Sequence, residues 1–234
     1  MSQNEFDQHL ANGRKLLTGL LENKTAAKLE TYGKTIEWFK VLKEEIKHTL
    51  SLISEQIEDE RIRLRFVDRG DTEAQLFIGS DVIVFNMHSN IFQLNPNDYN
   101  SQTSYIHQNP MNAYCGIIRI YNFLADSYEY NRLHDMGYMI GRIFINQEDH
   151  FMVEGKGQIG FMYRDFMHQL MSREVLQDII IRICVHALNF DLYTPPYKAV
   201  QQTTVNDLNA ITQSSKMKTG KRLGFKFESD TDVK

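Results

Sequence analysis

The sequence predicts an α+β fold: N-terminal helices, an antiparallel sheet of about six strands, a long C-terminal helix and a polar C-terminal tail. Three observations predict it. Apolar residues recur at helical spacing on both flanks of the chain. Between the flanks, β-branched and aromatic residues alternate at a period of two over successive runs. The links between those runs are short, as antiparallel neighbours allow and parallel ones do not.

The first helical segment covers residues 4 to about 30, as one helix or a broken pair. Phe6, Leu10, Leu17, Leu20 and Leu21 share its spacing, and Gly13 and Gly19 weaken it, each by about 1 kcal/mol relative to Ala. A second helix is expected over Thr35–Glu60. Phe39, Leu42, Ile46, Leu50, Ile53 and Ile57 step by three and four, the seam of a heptad pattern. That seam suits either a helix lying on its own sheet or a helical hairpin that dimerises.

The period then becomes alternating. Ile62, Leu64 and Phe66 interleave with Arg61, Arg63 and Arg65, giving a first strand with basic residues facing out. Asp68–Asp71 is a turn signal. Ala74–Ile78 and Asp81–His88 follow as strands, the latter extending toward Leu94. Exposed alternating arginines ordinarily pair with neighbouring acids, here Glu73, rather than mark a nucleic-acid surface.

The centre of the sheet is the stretch Gly116–Glu154. In a register where Asp126 faces Met139, Ile120 opposes Ile145, Asn122 opposes Ile143 and Leu124 opposes Gly141, a nearly apolar core face. The other face pairs Arg119 with Asn146, Tyr121 with Phe144, and Phe123 with Arg142. Arginines beside aromatic rings gain cation–π attraction. Arg119, Tyr121, Phe123, Arg142 and Phe144 are therefore the candidate ligand-binding face, provided helices do not cover it.

Two polar links flank this centre. Residues 95–113 read as a long loop rich in Asn, Gln and Tyr, and 128–138 is similar. Loops of that length are often functional. Tyr105, His107, Asn109, Tyr128, Tyr130, Arg132 and His134 are the candidate partner contacts.

Gly155–Gly160 matches Gly-x-Gly-x-x-Gly. The dinucleotide fingerprint belongs to the first strand of a parallel βαβ unit, with an acid after a second strand. Here antiparallel strands precede it, and Glu174 and Asp178 begin an apparent helix instead. A Gly-rich turn is the simpler reading. A helix is expected over Phe161–Met171. Ser172 then caps a long helix through residue 192, with Glu174 in its first turn. Val175, Leu176, Ile179, Ile180, Ile183, Ala187 and Leu188 form its apolar stripe.

Residues 1–200 are thus read as one domain, helical over 1–60, sheet over 61–166 and helical over 172–192. Residues 201–234 form a flexible tail with a candidate edge strand over 222–228 and a basic run over 216–222.

Charge narrows the partners. The chain of 234 residues carries a formal charge of -4. Residues 71–200 hold 8 basic side chains against 14 acidic ones, which argues against a large nucleic-acid surface. Two cysteines, Cys115 and Cys184, sit in apolar runs as small hydrophobes. No secretory leader or membrane-spanning run is read in the sequence, so a cytoplasmic location is the default. Glu148-Asp149-His150 and the Asp165/His168 pair, three apart on the expected helix, are the best acid–base clusters. Neither comes with a visible cleft, and no nucleophile, Walker or zinc motif accompanies them. No catalytic, metal or cofactor residues are assigned. The expected function is a non-enzymatic, cytoplasmic adaptor or assembly subunit that self-associates. The alternatives are a small-ligand sensor and an enzyme of unknown class.

Overall fold

The computed structural model describes residues 3–190 throughout, and 194, 196–206, 208–209 and 212 beyond them. The candidate edge strand over 222–228 and the basic run over 216–222 lie outside the described residues.

The architecture is α+β. Strands β1 (Leu64–Asp68), β2 (Glu73–Ile78), β3 (Asp81–Met87), β5 (Tyr114–Leu124), β6 (Tyr138–Ile145) and β7 (Phe151–Gly155) form an antiparallel meander in that spatial order. The two-residue β4 (Phe92–Gln93) pairs with the start of β5. Alternation does what it predicts here. One face carries Leu76, Ile83, Phe85, Ile118, Ile120 and Ile143, all essentially without exposure. Two helices cover that face. These are α2 (Ala26–Ser54) and α6 (Arg173–Leu188).

The N-terminal helices differ from expectation. α1 (Gln3–Gly19) runs through a π-helical turn (Leu20–Thr25) directly into α2. The result is one helical run of roughly 78 Å at 1.5 Å per residue. It ends at Ser54, short of residue 60, and Ile57 lies beyond it. The glycines did not break it, because propagating an existing helix costs far less than starting one. Strand β1 accordingly begins at Leu64 rather than Ile62.

α2 docks through Phe39, Leu42 and Ile46, each 0% exposed. Its N-terminal part approaches more closely still. Thr31 and Thr35 are fully buried, their hydroxyls donating to the carbonyls of Ala27 and Thr31. A Cβ built on Gly116 of β5 would overlap the Thr35 side chain. Only glycine lets the helix and the strand meet there. The heptad-like seam therefore packs on the chain's own sheet.

α6 begins where its cap predicts. Ser172 Oγ accepts from Val175 N at 3.3 Å. It stops at Leu188, before residue 192, with Asn189 as its C-cap. α2 and α6 are tied together by Glu45, which accepts from Arg173 at 2.5 Å and from Gln177 at 2.6 Å. Burial works against the Glu45 carboxylate, yet these hydrogen bonds together with the charges of Arg173 and His48 outweigh it and hold the pKa below its ordinary value.

The hairpin register is corrected by four residues. Ile120 opposes Gly141, Ile118 opposes Ile143, and Gly116 opposes Ile145. A shift of four is even, so from Gly116 to Ile120 and from Gly141 to Ile145 it leaves the side chains on the faces expected for them, whereas past the bulge Tyr138 and Ile140 turn to the core and Met139 turns out. A bulge between Ile120 and Tyr121 then moves Tyr121 opposite Met139. Ile120, Leu124, Ile143 and Ile145 are all buried.

Other expectations change locally. The supposed loop over 95–113 holds a 3-10 turn (Tyr99–Gln102), α3 (Ser104–Gln108) and a second 3-10 turn (Pro110–Ala113). Asp98 and Asn109 cap the two turns with their side chains. The expected helix over 161–171 is instead the short α5 (Gly157–Met162) followed by turns. Arg63 and Arg65 pair with Glu129, and Arg63 also with Asp126, rather than with Glu73. Both acids lie on α4 (Ala125–Glu129). Among the described residues, no helix is long and apolar enough to cross a membrane.

Candidate functional site

Among the described residues, the face of the sheet opposite α2 and α6 is covered only at its two ends. At one end, the capped turns and α3 place Leu94, Ile106 and Ala113 over Cys115, Ile117 and Phe144. At the other, α4 lays Ala125 and Tyr128 over Phe77, Val84, Tyr121 and Phe123. Between them runs a row of polar side chains. Glu73 opposes Asn86, Asn86 opposes Arg119, Arg119 opposes Arg142, and Arg142 opposes Glu154. Directly opposed residues of an antiparallel pair project to the same side. The row therefore crosses β2, β3, β5, β6 and β7 on the open face.

Its two guanidiniums are held differently. Arg142 donates through Nε to Glu154 Oε2 at 2.6 Å, and its Nη2 lies 2.6 Å from the same oxygen. It also stands 5.0 Å from the centre of the Phe144 ring. Arg119 donates from Nη2 to Asn86 Oδ1 at 2.6 Å. Its Nε is buried without a hydrogen-bond partner. Among the described residues, no carboxylate forms an ion pair with Arg119.

A groove of about 370 Å³ lies over these arginines. Ile117, Phe144 and Met152 form its apolar part, and Phe92, His88 and Asp98 stand around it. The His88 and Phe92 rings meet edge to face, with centres 4.8 Å apart. A second hollow of about 630 Å³ shares Asp98, Met152 and Glu154 and continues past Arg164 and Asp165.

The five candidate ligand-binding residues are thus divided. Arg119, Arg142 and Phe144 line the groove. Tyr121 and Phe123 pack beneath α4, and Phe123 lines a separate hollow with Arg69, Glu73 and Tyr128. Sequence reasoning missed His88, Phe92 and Asp98. The alternation of Phe92 and Leu94 beyond His88 was the available signal for β4.

The candidate partner contacts lie at opposite ends of β5, so they do not form one surface. Tyr105 is half-buried and tied to its neighbours. It donates to Glu148 Oε2 at 2.7 Å, accepts from Asn146 at 2.9 Å and stacks on His150 at 4.2 Å. Burial first, and then Glu148, push its pKa well above the ordinary tyrosine range. Asn109 caps a turn, whereas His107 is exposed. At the far end, Tyr128 meets Phe123 edge to face and Arg132 pairs with Asp135. Tyr130 and His134 are exposed.

The two acid–base clusters lie apart and are held differently. Glu148 binds Tyr105 and Asn112, and Asp149 accepts from Trp38 Nε1 at 2.7 Å. Asp165 and His168 meet at 2.9 Å in an exposed turn, not on a helix. The glycines of the Gly155–Gly160 run serve a close backbone approach: a Cβ on Gly160 would overlap the carbonyl of Gly155. Among the described residues, no group of three or more His, Cys, Asp or Glu side chains is placed to hold a metal ion.

A second feature stands apart from the sheet. Every side chain from Asn4 to Thr18 is exposed, and burial begins only at Ala27. Phe6, Leu10, Leu16, Leu17, Leu20 and Leu21 are each between 45% and 66% exposed. No protein-family model matches the chain, and no curated protein or solved structure matches it.

Proposed function

We propose that the protein is a non-enzymatic, cytoplasmic assembly subunit that pairs through α1 with a second copy of itself. The exposed apolar stripe of α1 carries this reading. Phe6, Leu10, Leu17 and Leu20 recur at spacings of one and two turns along a helix that projects from its own domain. Most helical stability in proteins comes from packing an amphipathic face. An amphipathic helix gains its stability by burying its apolar side, and contiguous exposed apolar surface marks an interaction site.

Charge supports a second copy in antiparallel alignment. Glu5 and Asp7 make the first part of α1 acidic. Arg14, Lys15 and Lys24 outnumber Glu22 in the part that follows. Antiparallel pairing sets the acidic part of each copy beside the basic part of the other. Parallel pairing sets like beside like, which costs free energy.

Light scattering coupled to size exclusion tests this. The full chain is expected at twice its 27.4 kDa mass. Leu10→Glu combined with Leu17→Glu is expected to return it to a single-chain mass. A single-chain mass for the unaltered protein at every concentration rejects the proposal.

A further inference from the structure

We propose that the arginine groove is a binding site for a small monocarboxylic acid with a flat apolar body. The inference is independent of assembly through α1.

Arg119 and Arg142 face each other across β5 and β6. Like charges in directly opposed positions are destabilising. Glu154 neutralises one of them, held at 2.6 Å from Arg142. Arg119 has only the neutral Asn86 side chain, whose oxygen fixes the guanidinium at 2.6 Å. Arg119 is therefore left half-buried and oriented, with no carboxylate paired to it among the described residues. Its Nε is an orphaned donor, and such a donor in a folded protein calls for an explanation. An anion delivered from outside supplies the partner that Arg119 lacks.

The chemistry of the surroundings selects which anion. A guanidinium presents a planar fork that matches a carboxylate in two parallel hydrogen bonds. Arg119 is the guanidinium of the pair that lacks a carboxylate, so there is a place for one. Glu154 and Asp98 stand in the same groove, and they oppose a second negative charge such as that of a phosphate dianion. Beyond the arginines the groove turns apolar, with Ile117, Phe144 and Met152, and the rings of Phe92 and His88. A ligand whose acid end meets Arg119 therefore lays an apolar body along these side chains. The volume of about 370 Å³ lies within the range of small-molecule pockets.

Calorimetric titration of the full chain tests this with phenylacetate, phenylacetamide and inorganic phosphate. Phenylacetate is expected to bind saturably and at least tenfold more tightly than either of the others. Arg119→Met is expected to weaken phenylacetate tenfold or more. The same variant should melt no lower than the unaltered protein, because it removes an uncompensated charge. The comparison of acid with amide needs no variant, so it decides even if Arg119→Met misfolds. Equal binding of acid and amide, tighter binding of phosphate, or no saturable binding of phenylacetate overturns the proposal.

Discussion

Single residues carry much of the organisation. Asn146 is 0% exposed and answers to four partners. Its amide donates to Tyr105 Oη at 2.9 Å and to the Asn112 carbonyl at 3.1 Å. Its oxygen accepts from the backbone N–H groups of Glu148 and His150, each at 3.0 Å. It thereby shapes the β6–β7 turn and anchors the capped turns beside it. Asn146→Ala is expected to cost about 2–3 kcal/mol, because buried groups are left unpaired. Urea unfolding of the variant measures that cost.

Glu45 makes a second prediction at this scale. Its pKa is lowered in the folded chain from an ordinary 4.5. A lowered carboxylate pKa adds stability above the ordinary value, and that stability is lost as pH falls through the folded value. Glu45→Gln should therefore melt below the unaltered protein at pH 7. The gap should close as the pH is taken below 4.5.

At this scale the sequence is readable only in part. Arg119, Arg142 and Phe144 were legible as one polar and aromatic face, because face follows from parity alone. That the two arginines oppose each other was not legible. It depends on a four-residue difference in register and on a bulge, and both come from how the β5–β6 link folds. Asn146 carried no signal, since its four partners come from residues brought together only by folding.

At the scale of elements, period decided what could be read. The meander, the seam Phe39-Leu42-Ile46 and the stripe of α6 all follow from spacing, because burial on one side imposes it. The short elements over 95–113 escaped notice. Each is only one turn long, and a single turn has no period. Their caps, Asp98 and Asn109, were the only local evidence. The fate of α1 was hidden for a different reason. Amphipathic spacing shows that a face is to be covered, but it does not name what covers it. α2 found its partner in β5 and its neighbours, whereas nothing in the described chain covers α1.

The whole molecule divides into two parts with separate work. Helices close one side of the sheet and leave a polar row open in the middle of the other. That row is the proposed place for a small ligand, and the exposed helix is the proposed place for a second chain. The groove is lined by no residue of α1, so ligand binding and assembly are expected to be separable by substitution.

The central claim is that α1 is covered by a partner copy in solution. Amide hydrogen exchange over residues 4–24 measures this most directly, followed across a dilution series. The account predicts slow exchange at high protein concentration, which becomes fast on dilution while α2 stays protected throughout. Fast exchange over those residues at every concentration, as for a bare helix fraying in water, would contradict it.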